Sequence, residues 1–128
     1  MSKIMIIDDD TGLAEDMSVF LKIMGHSVMT SDSMDGAIEK LIAFGPDLLI
    51  LDVMFPENPV AGFDLARRIR RTKEISKLPI ILTTGMNQHF PSEFSSDDID
   101  PNWMPVQDFM EKPVNFKKLI GRIDRLLR

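Results

Sequence analysis

Short apolar runs alternate along this chain with longer stretches whose apolar residues fall at helical spacing. Lys3 to Asp8 holds an unbroken apolar run, Ile4 to Ile7, and closes on an acidic pair, Asp8-Asp9. A run of that length predicts a strand. Leu13, Met17, Phe20, Leu21 and Met24 then mark one face of a helix, with Asp10 placed to cap its start and Gly25 to end it. His26 to Ser31 reads as a weak strand. Ser33 is placed to cap a second helix whose apolar face is Met34, Ala37, Ile38, Leu41 and Ile42, stopped by Gly45-Pro46. Asp47 to Asp52 has the composition of a buried strand, and Phe55-Pro56-Glu57-Asn58-Pro59 after it is rich in turn formers. Phe63 to Thr72 predicts a third helix and Leu78 to Thr84 another buried strand. The last helix is the clearest: Asn115 caps it, and Phe116, Leu119, Ile120, Ile123, Leu126 and Leu127 form its stripe.

Strands alternating with helices predict a parallel sheet covered on both faces, in which ligands lie beyond the carboxyl ends of the strands. Asp8, Asp9, Asp52 and Thr84 all fall at such ends, and a lysine before a proline, Lys112-Pro113, follows near the end of the chain. Three carboxylates brought together repel one another unless a cation sits among them. A pocket of this kind suits a hard divalent cation, and with one amine beside it, a phosphoryl group. Met86 to Asp108 breaks the alternation: it holds Pro91, Pro101 and Pro105, the acidic stretch Asp97-Asp98-Ile99-Asp100, and room for one short helix from Phe90.

Composition narrows the function classes. At 128 residues the chain reads as one domain, 1–128, large enough for a real core. It has no cysteine, which excludes disulfides, thiolate metal sites and thiol catalysis. A net charge of −5 argues against direct binding of nucleic acid. The basic clusters, Arg67 to Arg71 and Lys117 to Arg128, read as solvated helix faces. The first apolar run is too short for a signal peptide or a membrane span, so no membrane insertion and a cytoplasmic location are expected.

Taken in order, these residues resemble the receiver domain of two-component response regulators, over essentially the whole chain. The matched positions are the acidic pair Asp8-Asp9, then Asp52, Thr84 followed by the small Gly85, the aromatic Phe109, and Lys112-Pro113. The resemblance implies an α/β, flavodoxin-like, doubly wound sheet of five parallel strands in the order 2-1-3-4-5, with helices on both faces. It implies that Asp52 accepts a phosphoryl group from a sensor histidine kinase or phosphotransfer protein. It implies a Mg²⁺ site made by Asp9 directly, Asp8 mainly through water, Asp52, and the backbone carbonyl of Met54. Lys112 would be the counter-ion to the phosphoryl group, aimed by a cis bond to Pro113, and Thr84 would donate its hydroxyl to a phosphoryl oxygen. Phe109 would move inward as Thr84 moves, so that these two form the switch. The partners implied are the kinase and an unidentified protein target. The chain would be no enzyme beyond its own phosphorylation and dephosphorylation.

Two departures from the family pattern stand out. The usual proline, three residues, glycine after the phosphorylated aspartate is here Pro56 to Gly62, enclosing Glu57-Asn58-Pro59-Val60-Ala61. The family's helix between strands four and five, its fourth, is expected to be short or replaced by loop, because Met86 to Asp108 stands in its place. That segment, with Phe90, Phe94 and Trp103, is expected to rearrange on phosphorylation and to dock the target. An initiator-like Met1 and an immediate strand favour a stand-alone receiver over a module cut from a larger hybrid kinase or regulator. A phosphorylation-silent interaction module would generally lose the acidic pair or the lysine, and all are present. A haloacid-dehalogenase-like phosphatase needs a second aspartate two residues after the first, where Met54 stands.

Overall fold

The computed structural model describes residues 2–52, 61–85 and 108–127, and at 61–63, 84–85 and 109 the course of the backbone. Five strands alternate with helices: β1 (Lys3–Ile7), α1 (Thr11–Ile23), β2 (Ser27–Ser31), α2 (Ala37–Phe44), β3 (Leu48–Asp52), α3 (Ala61–Arg70), β4 (Ile80–Gly85), β5 (Asp108–Lys112) and α4 (Phe116–Leu126). A 3₁₀ turn at Lys73–Ile75 precedes β4. All pairings are parallel, and the strands lie in the order β2-β1-β3-β4-β5. This is the flavodoxin-like sheet with its helices, as the resemblance implied.

The alternation of side chains along each strand divides the core in two. Met5, Ile7, Leu49, Leu51, Ile80 and Leu82 pack with Leu41 of α2 and with Leu65, Ala66 and Ile69 of α3. On the opposite face Ile4, Ile6, Leu48, Ile50, Ile81 and Met110 pack with Ala14, Met17 and Leu21 of α1 and with Leu119 and Ile123 of α4. The central strand β3 is buried at every position, which is why it reads as a continuous apolar run up to Asp52 rather than an alternating one.

Several boundaries differ from the sequence pattern for local reasons. Ser33 does not cap α2. Its hydroxyl accepts from the Asp35 amide at 3.0 Å in a turn that precedes the helix, and α2 starts after Gly36, whose φ of 66° breaks the chain direction. Met34 therefore stands outside the helix, although it still packs on the core. Within α2 the buried strip runs through Ala37 and Leu41 to Phe44, which leaves Ile42 turned outward. Met24, counted on the apolar face of α1, is the C-cap residue beyond its last turn and is exposed. Helix α3 covers Ala61–Arg70 rather than Phe63 to Thr72, and the Thr72 hydroxyl donates to the Arg68 carbonyl instead of continuing it. Leu78 closes the 3₁₀ turn, with its amide on the Ile75 carbonyl, so β4 begins only after Pro79. The enlarged loop at Pro56 and nearly all of Met86 to Asp108, the place of the family's fourth helix, lie outside the described residues; β5 begins at Asp108 itself.

Candidate functional site

The register of the central strands assembles the site. Ile7 of β1 pairs with Leu51 of β3, so Asp8, one residue on, stands beside Asp52. Asp52 in turn pairs with Thr83 of β4. Counting by two from Ile4 and Ile6, Leu48 and Ile50, and Ile81 places Asp8, Asp52 and Thr83 in one row, on the face packed by α1 and α4. Lys112, two residues after the buried Met110, comes to the same face from β5. An apolar layer thus ends at the carboxyl edge of the sheet in polar groups, and Asp8, Asp52 and Thr83 are 1%, 2% and 0% exposed.

Lys112 is held between the two buried carboxylates. Its Nζ lies 3.1 Å from Asp8 Oδ2 and 3.4 Å from Asp52 Oδ2, and donates to Asp8 Oδ1 at 3.3 Å. The Asp10 amide donates to Asp8 Oδ1 at 2.8 Å. Asp10 itself caps α1, its own Oδ1 accepting from the Leu13 amide at 3.0 Å. The Lys112-Pro113 bond is cis. Asp9 is half-buried at the rim, and one oxygen from each of Asp8, Asp9 and Asp52 falls within 4.8 Å of the others.

The electrostatics follow from this crowding. Burial pushes the Asp8 carboxyl above its ordinary 3.8, against the opposing pull of the Asp10 amide and of Lys112. For Lys112 burial acts downward, but the Asp52 and Asp8 carboxylates outweigh it and raise the amine above its ordinary 10.5. The site binds protons more tightly than its isolated groups would, at Asp8 because burial disfavours the charged carboxylate and at Lys112 because the two carboxylates favour the charged amine. Among the described residues two buried side-chain atoms have no hydrogen-bond partner: Asp8 Oδ2, which is at ion-pair distance from Lys112 but off the line of a hydrogen bond, and Thr83 Oγ1. A ring of carboxylate oxygens, one of them unpartnered, with no nitrogen or sulfur ligand in the group, fits a hard cation such as Mg²⁺.

The site residues named from sequence therefore divide. Asp8, Asp9, Asp52 and Lys112 come together. For Thr84 and Phe109 the structure gives positions in the sheet: Thr84 pairs with Glu111, next to the Gly85–Lys112 pair, and Phe109 pairs with Leu82. Met54 lies outside the described residues. The sequence reading missed Thr83: counting by two along β4 from Ile81 gives its face, but only the register with β3 puts it beside Asp52.

A second polar group was also missed. Asp108, at the start of β5, has a carboxylate only 11% exposed, gripped by Arg122 (Nη1 to Oδ1, 2.9 Å) and Arg125 (Nη2 to Oδ2, 2.7 Å) of α4. These two arginines, three apart on one helix, are thus not merely a solvated face. Arg70 departs from that reading too, donating to the carbonyls of Ser76 (3.2 Å) and Leu78 (2.8 Å).

Comparison with known proteins agrees with this geometry. The family model described as "Response regulator receiver domain" matches residues 4–124. The chain is 36% identical over its whole length to the transcriptional regulatory protein AfsQ1 of Streptomyces coelicolor, covering 52% of that protein. It is 30% identical over its whole length to the DNA-binding dual master transcriptional regulator RpaA of a Synechocystis species, covering 50% of it. The chain thus spans about half the length of these curated relatives. Among solved structures, a two-component response regulator from Clostridium difficile shares the fold with a TM-score of 0.81 at 24% identity, over 100% of this chain and 97% of that one. Among the described residues no helix is long and apolar enough to cross a membrane.

Proposed function

The chain belongs to the response regulator receiver domain family of two-component systems, and from that premise we propose that it is a phosphorylation switch whose acceptor is Asp52. One observation carries the assignment: Asp52 is buried at the carboxyl edge of the central strand, between Asp8 and Thr83, with the Lys112 amine 3.4 Å from its carboxylate. An aspartate that merely ends a strand would not require a second buried carboxylate and an amine drawn in from β5.

In the reaction an Asp52 oxygen attacks phosphorus. The new O–P bond forms as the bond from phosphorus to the donor atom breaks, and that atom leaves with the electron pair. With a kinase phosphohistidine the leaving atom is an imidazole nitrogen. Asp8, Asp9 and Asp52 would hold Mg²⁺, with the Met54 carbonyl as a further ligand. When bound, the ion neutralises charge on the phosphoryl oxygens. Lys112 exchanges its carboxylate contacts for the incoming phosphoryl oxygens and keeps their charge paired. Thr84 donates its hydroxyl to the same group, and Thr84 and Phe109 carry the change of state to the surface. Hydrolysis of the acyl phosphate restores the starting state, so the chain acts as an enzyme on itself alone. Its partners in this reading are a sensor histidine kinase or phosphotransfer protein and a protein target. The acidic charge of this chain does not suit direct contact with nucleic acid.

Incubation with acetyl phosphate and Mg²⁺ should add one phosphoryl group by intact mass, and Asp52→Asn should abolish it. Equal labelling of the two proteins would refute the assignment. No labelling of either would point to an interaction module that is silent to phosphorylation.

A further inference from the structure

Helix α1 turns one face to the core and leaves the opposite face uncovered. Ala14, Met17, Ser18 and Leu21 are buried, whereas Gly12, Glu15, Asp16, Val19, Lys22 and Ile23 are exposed. At about 3.6 residues per turn these six fall in one stripe. Two of them are large aliphatic residues one turn apart: Val19 is 47% exposed and Ile23 76%. Aliphatic residues scattered singly over a surface are ordinary, but two neighbours on one stripe form a patch. The charges of the stripe are sorted along the helix. Glu15 and Asp16 come before Val19, and Lys22 comes after it. Among the described residues none of these three is in an ion pair. They are out of reach of one another within the helix: Lys22 stands about 10 Å along the axis from the two carboxylates, and side chains meet only three or four residues apart.

From this face we infer that two copies of the chain pair through α1, antiparallel about a two-fold axis at Val19. A two-fold makes the contact self-complementary, so a residue after Val19 meets the partner's residue at the same distance before it. Val19 meets the partner's Val19. Lys22 comes level with the partner's Glu15 and the partner's Asp16, and the same contact repeats at the other end. Ile23 comes level with the space between the partner's Gly12, the partner's Glu15, the partner's Asp16 and the partner's Val19. That spacing is the hole of a coiled coil, with no side chain at glycine to block it. A parallel pair would set lysine against lysine and carboxylate against carboxylate, so charge alone selects the antiparallel one. The helix is about 20 Å long and about 10 Å wide, which gives a footprint well below the roughly 800 Å² per partner of a standard interface. The pair is therefore weak, forms at high protein concentration and loosens in salt.

Sedimentation velocity from micromolar to millimolar concentration tests this on wild type, Lys22→Glu, the double variant Glu15→Lys/Asp16→Lys, and an equimolar mixture of the two variants. Wild type should move from monomer towards dimer as concentration rises, and less so in high salt. Each variant alone should associate about tenfold more weakly, because two exposed ion pairs give way to like charges. The mixture should recover the dimer, since opposite charges then face each other at both ends. The substituted residues lie on the surface, so circular dichroism and melting temperature should match wild type and separate lost pairing from lost fold. A wild type that stays monomeric to millimolar concentration would overturn the inference and leave this face to a different protein. Self-association equal in wild type and Lys22→Glu would place the contact elsewhere. A mixture no stronger than its components would overturn the antiparallel register.

Discussion

β5 carries an ionic group at each end, and the two are built on opposite plans. At its start Asp108 is one carboxylate between two guanidiniums, with a separate partner for each oxygen. At its end Lys112 is one amine among a group of three carboxylates, and an oxygen of Asp8 is left without a hydrogen bond. Both groups bury a carboxylate, so burial does not distinguish them. Balance does. A buried carboxylate with a cationic donor on each oxygen holds structure together, whereas a cluster with negative charge in excess suits a cation. Asp108 therefore ties β5 to α4, whereas the group at Lys112 holds more carboxylates than its one amine can pair.

Breaking the balanced end should have the largest effect on stability. Asp108→Ala leaves Arg122 and Arg125 facing each other without their carboxylate. Both arginines are partly exposed and water recovers some of the loss, so about 2 kcal/mol of unfolding free energy should disappear in urea titrations. Labelling of Asp52 should persist. An Asp108→Ala protein as stable as wild type would remove the structural half of the comparison.

Adding Mg²⁺ should stabilise the other end. Mg²⁺ at ten times its dissociation constant should contribute about 1.4 kcal/mol, because only the folded chain gathers Asp8, Asp9 and Asp52. Asp108→Ala should keep that response and Asp9→Ala should lose it. A melting temperature indifferent to millimolar Mg²⁺ in wild type would leave the excess of carboxylates unexplained.

Relieving the excess by mutation should have a smaller effect. The Asp8 carboxyl is raised above 3.8 by burial, so the folded protein holds this proton more tightly than the unfolded chain does. Metal-free stability should therefore fall as pH rises from about 3.8 through the raised value. Asp8→Asn should flatten that slope. Lys112, also raised, adds a second decline at the alkaline end, above its ordinary 10.5. Denaturant midpoints across pH without Mg²⁺ check both windows, and a wild type that gains stability between pH 4 and 7 relative to Asp8→Asn would reverse the sign.

The smallest effect should come from Arg125→Ala. Its side chain is 61% exposed, against 34% for Arg122, so its loss should cost about 0.5 kcal/mol and less than Arg122→Ala. The reverse order would show that the outer arginine carries the tie.

The charged groups that interrupt or follow apolar runs were the most legible part of the sequence. Asp8 and Asp52 are visible because a run of large aliphatic residues stops at each, and Lys112 because a proline follows it. The order of the strands was not legible from alternation, which gives succession along the chain and says nothing of which strands are neighbours; it came from the family resemblance. Thr83 escaped because a threonine at the end of an apolar run looks like any β-branched strand residue until its register partner is known. Asp108 escaped for a different reason. Its partners lie on a helix whose basic residues are also what an exposed face carries, and only the packing of α4 against β5 tells the two apart. The start of α2 was misplaced because Ser33 and Gly36 both signal a boundary, and the left-handed glycine prevailed.

Strand order has one more consequence, for how copies of this chain meet in a crowded solution. Among the described residues β2 has a strand on one side only, so its outer edge presents backbone amides and carbonyls that another strand could extend. The uninterrupted aliphatic run of β3 in that place would be a template for edge-to-edge aggregation. The chain instead puts β3 in the middle and a short strand, Ser27-Val28-Met29-Thr30-Ser31, at the rim. Hydroxyl side chains and brevity make that edge a poor template, so the most aggregation-prone segment is shielded by the least.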